Sequence, residues 1–189
     1  MILSNKAIGR AIRQRKIVLD PKPEKEQFAP SALDLRVGNQ FFKWKETQAG
    51  SGAEVCFDLS AFNITLCKDH LSEVRPESDG RIKLKAGDFI LANTLEKITL
   101  EYTSQLAARV EGRSGFARLG LQVHMTAPTI HCGFIGNIIL ELKNCGNYPL
   151  LITPNKTYIC QLIFETVKDK PVGSFNSKFQ YQTGPIGRH

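Results

Sequence analysis

The chain is short of the features that mark several large functional classes. No apolar run approaches the length of a membrane-spanning helix and no secretory-type leader is visible, which argues against a helical membrane protein and against export. Cysteines number five, an odd count, and none are spaced as Cys-x-x-Cys. Neither a disulfide framework nor a zinc knuckle is therefore expected, and a reducing, cytoplasmic setting follows. The His-x-Glu and Pro-Cys-x-x-Cys pair of zinc-dependent nucleobase deaminases is missing. So are a Gly-x-Ser-x-Gly nucleophile elbow and a phosphate loop ending in Gly-Lys-Ser/Thr. His124, His131, Cys132 and Cys145 fit no common metal-ligand spacing, so no protein-held metal is expected. Acidic residues are outnumbered, 18 against 25 Lys and Arg for a net charge of +7, which favours an anionic partner. Because the positive charges are spread along the chain, a nucleoside triphosphate satisfies that bias as well as a nucleic acid would.

What is present suits one domain over residues 1–189, with 42% hydrophobic content and neither an internal repeat nor a low-complexity tract. Ser4 is placed to cap a helix running to about Arg15, with Leu3 stapled to Ile8 and a buried stripe of Ile8 and Ile12; its other face is basic. Leu33, Leu35 and Val37 alternate with Asp34 and Arg36 as in a half-buried strand, after which Gly38-Asn39 is expected to turn the chain into Gln40–Trp44. Further strands are predicted at 81–85, 87–95, 105–111, 136–143, 149–152 and 157–165, with surface loops at 45–53 and 68–81. Short, closely spaced strands of this kind indicate an antiparallel sandwich or barrel.

Two stretches carry candidate chemistry. In Glu111-Gly-Arg-Ser-Gly-Phe-Ala-Arg-Leu-Gly120, Ser114 is expected to cap a short helix ending at Gly120. Ser114 and Arg118, four apart, would then lie on one face as a hydroxyl and a guanidinium. In Ile138-Ile-Leu-Glu-Leu142, alternation sets Ile138, Leu140 and Leu142 on one face and Ile139, Glu141 and Lys143 on the other. Glu141 is then either a residue of a solvated sheet face or a partly buried acid suited to proton transfer. The tail from Lys168 mixes aromatic and cationic residues with Gly, Ser, Asn and Pro, so 168–189 is read either as a frayed terminus or as a mobile segment able to fold over a ligand.

Gly112-Arg-Ser-Gly-Phe-Ala-Arg-Leu-Gly-Leu-Gln-Val-His-Met-Thr-Ala127, Thr129-Ile-His-Cys-Gly-Phe-Ile-Gly136 and Ile139-Leu-Glu-Leu-Lys-Asn144 closely resemble the dCTP deaminase branch of the dUTPase-like superfamily. The resemblance extends to Ala32-Leu-Asp-Leu-Arg-Val-Gly-Asn39 and to Lys178-Phe-Gln-Tyr-Gln-Thr-Gly-Pro185. It implies a mainly β fold, a distorted jelly-roll or β-barrel of the dUTPase-like type, with one short helix at the N-terminus and another after the Gly-Arg-Ser turn. It implies deamination of dCTP to dUTP and ammonia, with Glu141 moving protons and Ser114, Arg118 and the Ala127 carbonyl holding the water. Arg113, Ser114, Gly115, Phe116, Ala117, Arg118, His131, Ile139, Leu140, Glu141, Phe175, Lys178 and Gln182 are the implied substrate contacts. Mg²⁺ would be carried on the triphosphate, without zinc, and sites would form between subunits of a homotrimer, with dTTP a candidate inhibitor. Alternatives on the same fold are a bifunctional enzyme that continues to dUMP and a non-catalytic nucleotide-binding regulator. Three positions depart from the usual pattern: His131 replaces an Asp, Gly115 a frequent Ser, and Phe175 a Tyr.

Overall fold

The structure, a computed structural model, describes residues 1–46, 56–61, 64–173, 177 and 179–185. Helix α1, Asn5–Arg13, begins where expected, with Ser4 Oγ accepting from the Ala7 N–H at 3.4 Å. It buries Ile8 and Ala11, while Ile12 packs half-buried at the margin. The helix stops two residues earlier than the sequence suggested because Arg15 adopts φ 57. That left-handed residue lets Lys16 N–H bond back to Ala11 O at 2.9 Å, satisfying a carbonyl at the helix end.

The strands are β1 Ile17–Asp20, β2 Phe28–Ala29, β3 Ala32–Trp44, β4 Leu71–Glu73, β5 Ile82–Leu84, β6 Phe89–Leu100, β7 Leu106–Gly112, β8 Leu121–Gln122, β9 Thr129–Ile130, β10 Ile135–Asn144, β11 Leu150–Ile152 and β12 Tyr158–Thr166. A single-turn helix α2, Ser114–Ala117, follows β7. The main sheet runs β8-β10-β6-β3-β12-β7-β9, with β1 also on β6 and β2 and β4 on β3, and β5 and β11 form a separate pair. Every pairing is antiparallel. This is the mainly β, distorted jelly-roll architecture that was expected, curled about one core.

β3 makes the curl. Its first half pairs with β12, from Leu33↔Leu162 to Arg36↔Tyr158, and its second with β6, from Val37↔Thr94 to Phe42↔Leu91. The expected turn at Gly38-Asn39 is therefore incorrect: the strand continues, with an irregular register between Val37 and Phe41. Glycine is needed here for space, because a Cβ on Gly38 would strike the carboxamide of Asn93. That carboxamide accepts from Gln40 N–H at 3.1 Å and donates to Thr183 O at 3.3 Å, bending the strand from one layer to the other. Inward residues of both layers, among them Leu33, Leu35, Leu140, Leu142, Leu162 and Phe164, are fully buried. Truncating one of them to alanine would cost roughly 2–5 kcal/mol.

One buried charge braces the core. Glu96, with no exposed surface, accepts from Arg36 N–H and Nε at 2.9 Å each and from Gln27 Nε2 at 3.1 Å. Gln27 Nε2 also donates to Asp34 O at 2.8 Å, tying the segment before β2 to β3. Both carboxylate oxygens of Glu96 therefore have donors, which offsets the cost of burying a polar group.

Candidate active site

The Gly-Arg-Ser turn is built differently from the expectation in one respect. Arg113, not Ser114, is the N-cap of α2, and Ser114 is the first helical residue. The Arg113 side chain, which has no acceptor to offer a cap bond, turns back onto the sheet. Nη1 donates to Tyr158 O at 3.1 Å, Nη2 lies 3.3 Å from Asp34 Oδ2, and the guanidinium carbon sits 5.7 Å from the Phe116 ring centroid and 5.9 Å from that of Tyr158. The turn closes with Phe116 and Ala117 N–H on Arg113 O and Arg118 N–H on Ser114 O, at 3.0, 2.9 and 3.2 Å. Ser114 and Arg118 are thus one turn apart, and both are exposed.

A depression of about 340 Å³ opens beside this turn, lined by Ala29, Asp34, Arg113, Ser114, Gly115, Phe116 and Gln161. A Cβ on Gly115 would meet nothing within 4 Å, so the backbone does not require glycine there and a serine would fit. Asp34 is largely buried; desolvation raises its proton affinity above the ordinary aspartate value, partly countered by the Arg113 charge.

Glu141 lies on β10 opposite Leu91 of β6, flanked by the fully buried Leu140 and Leu142. Glu141 is half-buried, its Oε2 accepting from Met125 N–H at 3.1 Å. That bond holds Glu141 against the segment leading to the exposed Ala127. Ile139, on the same face as Glu141, is half-buried, whereas the Leu140 side chain is wholly in the core and offers a ligand only its backbone.

The remaining expected positions lie elsewhere. His131 is exposed at a groove of about 370 Å³ that it shares with Tyr102, Cys132, Val167 and Val172. Gln182 is buried, donating from Nε2 to Asn137 O at 2.9 Å in a bridge to Gly136. Phe175 and Lys178 lie outside the described residues. One chain therefore assembles Arg113, Ser114, Gly115 and Phe116 around a single depression, and Glu141 with the 125–127 segment. Glu141, Arg118, Ala127 and His131 do not line that depression. Among the described residues, no three His, Cys, Asp or Glu side chains are grouped to hold a metal ion. Sequence reasoning assigned no role to Asp34, Tyr158 or Gln161. Alternation marks Asp34 as outward-facing, but only the register across β3, β12 and β7 brings it to Arg113.

The chain is thus an antiparallel half-barrel bearing a cationic Arg-Ser-Gly turn beside a depression and, on β10, a half-buried glutamate between two core leucines. Residues 2–167 match the family described as dCTP deaminase-like, and the chain belongs to that family. It is 37% identical over 97% of its length to a protein of Methanosphaera stadtmanae named dCTP deaminase, dUMP-forming, covering 91% of that protein. To a protein of Haloarcula marismortui named dCTP deaminase it is 35% identical, with coverage of 98% and 92%. The crystal structure of 2′-deoxycytidine 5′-triphosphate deaminase from Agrobacterium tumefaciens shares the fold at TM-score 0.63 and 20% identity, over 87% of this chain and 48% of that one. The chain thus spans about half the length of that structure.

Proposed function

We propose that this protein hydrolyses dCTP to dUTP and ammonia, providing a precursor for thymidylate synthesis. The observation that carries the reading is the setting of Glu141: a carboxylate held by the Met125 amide, on a strand whose neighbouring side chains are locked in the core. Replacing the cytosine 4-amino group requires a base to take a proton from water and an acid to protonate N3 and then the departing ammonia. Glu141 serves both roles in turn. Ser114, Arg118 and the Ala127 carbonyl orient the water. Arg113 and the Ser114 and Gly115 amides face the phosphates, bordered by Phe116 and Ala117, while the Ile139–Leu140 backbone lies along the base. His131 presents an imidazole to the sugar, and Phe175, Lys178 and Gln182 close the tail over the nucleotide.

The donor set at the turn, cations and amides, suits phosphate oxygens rather than a bare divalent ion. Mg²⁺ is accordingly assigned to the triphosphate, where it offsets charge, and zinc has no part in the reading. A homotrimer accommodates the separation of Glu141, His131 and the Arg113 depression within one chain, since neighbouring copies can complete each site. No helix among the described residues is long and apolar enough to cross a membrane, and all five cysteines are free thiols, which suits a cytoplasmic protein.

A second reading, continuation from dUTP to dUMP and pyrophosphate, is favoured by relatives named dUMP-forming, including one from Methanothermobacter thermautotrophicus at 37% identity. Against it stands His131, where the superfamily's hydrolases use an aspartate. Incubation of purified protein with dCTP and Mg²⁺, with products resolved by chromatography, is expected to yield dUTP and ammonia. Accumulation of dUMP and pyrophosphate would establish the second reading. Tight dCTP binding without turnover would instead identify a nucleotide-binding regulator.

A further inference from the structure

Arg113 is not a free surface arginine. Three elements hold it: β3 through Asp34, β12 through Tyr158, and α2 through the Phe116 ring. The register explains the convergence, because Gln161 of β12 pairs with Asp34 on one side and with Glu111 of β7 on the other. Gln161 Nε2 also donates to Gly112 O at 3.2 Å, fixing the strand end from which Arg113 projects. A guanidinium has five N–H donors, and the bond to Tyr158 O and the ion pair with Asp34 leave most of them available.

We infer that Asp34 is a positioning residue for Arg113: it fixes the guanidinium so that a triphosphate meets it in one preset orientation, without itself touching the nucleotide. This rests on the phosphate-site reading of the Arg113 turn. A carboxylate lining a depression that receives an anion is otherwise a liability, since it repels the ligand. It is also a cost to the fold, because the desolvation of Asp34 outweighs the Arg113 attraction. Both costs are offset if Asp34 removes the entropy that a loose arginine would lose on binding. The alternative, that Asp34 contributes only its charge, predicts the opposite sign: neutralising it should tighten anion binding.

The test uses inorganic tripolyphosphate, which lacks base and sugar, and titration calorimetry on the wild type, Asp34→Asn, Arg113→Lys and the double variant, with folding checked by circular dichroism. Asp34→Asn is expected to weaken binding about 2- to 12-fold, the scale of the ordering that one loose, rotamer-rich side chain must supply on binding. In the Arg113→Lys background the same change should produce no loss, because the planar fork that Asp34 orients is gone. Tripolyphosphate binding by Asp34→Asn equal to or tighter than wild type overturns the inference, as does an equal loss in both backgrounds or no binding by the wild type. Should Asp34→Asn fail to fold, Asp34→Glu takes its place: it keeps the charge but displaces the guanidinium, and must still weaken binding. If the coupling is present but the wild type does not deaminate dCTP, Asp34 keeps its role and the deaminase reading falls.

Discussion

Replacing Glu141 with glutamine separates chemistry from architecture. In the structure Glu141 Oε2 accepts a bond from Met125 N–H at 3.1 Å, and the side chain is half-buried. Glutamine keeps the size and a carbonyl oxygen that can accept the same bond. A bond to a charged acceptor is worth about 1.5–3 kcal/mol and one to a neutral acceptor about 0.5–1.5, so the exchange costs on the order of 1 kcal/mol. For a domain of this length that lowers Tm by about 2–4 °C. Catalysis responds on another scale, because the amide cannot take a proton from water. Loss of a positioned acid/base costs about 10²- to 10⁴-fold, or roughly 3–5 kcal/mol on the barrier. Ammonia release from dCTP, nucleotide binding by calorimetry and thermal melting on the same preparation distinguish the two scales. Turnover of Glu141→Gln within about threefold of wild type would show that Glu141 is only a brace for the Met125 segment.

Gly136 has φ 153, and a Cβ there would come within 3.0 Å of Gln182 O and 3.2 Å of Gln182 N. Gly136→Ala should therefore undock the tail, seen as faster hydrogen exchange at the Asn137 and Tyr181 amides with unchanged exchange in β6; unaltered protection of both amides would contradict this packing. Activity should survive zinc-selective chelation and fall when Mg²⁺ is withdrawn, since the only metal invoked rides on phosphate oxygens. Stoichiometric zinc lost together with activity would refute that assignment. The folded-state proton affinity of Asp34 is raised above its ordinary value of 3.8, so its ionised form costs stability at neutral pH, and that cost fades as pH falls from the raised value toward 3.8. Without ligand, Asp34→Asn should melt at or above the wild-type temperature at pH 7, with the difference shrinking as pH falls toward 3.8; a lower Tm at neutral pH would mean that the Arg113 attraction wins.

The parts of the fold that were legible in sequence are those whose side chains repeat. The alternation in Ile138–Leu142 placed Glu141 on the correct face, and the Ser4 cap marked the start of α1. β6 was predicted as 87–95 but runs on to Leu100, because Glu96, an acid in the strand, is ion-paired with Arg36 and hydrogen-bonded by Gln27 from distant sequence. β8 and β9 are two residues each and β1 four, too short for a period to register. Gly38-Asn39 has the composition of a turn, yet the space Gly38 leaves is taken by Asn93. The cap of α2 was misplaced for a similar reason, since the contacts that draw the Arg113 side chain onto the sheet come from β3 and β12.

The two halves of the candidate chemistry are held by different physics. Glu141 sits between side chains of zero exposure, so displacing it means breaking packing worth several kcal/mol, and its position is set before any ligand arrives. The tail is held mainly by exchangeable polar contacts: Gln180 Nε2 to Gly133 O at 2.7 Å, Ile135 N–H to Gln180 Oε1 at 2.8 Å, and Gln182 Nε2 to Asn137 O at 2.9 Å. Each such bond contributes only about 0.5–1.5 kcal/mol net, because water or another acceptor can replace the partner. For Gln182 to reach a nucleotide, its amide must release Asn137 O, an exchange that one new contact to a phosphate or base can offset. On the proposed reading, the acid is thus fixed by the core, whereas the segment proposed to enclose the substrate is held by bonds weak enough for a ligand to replace.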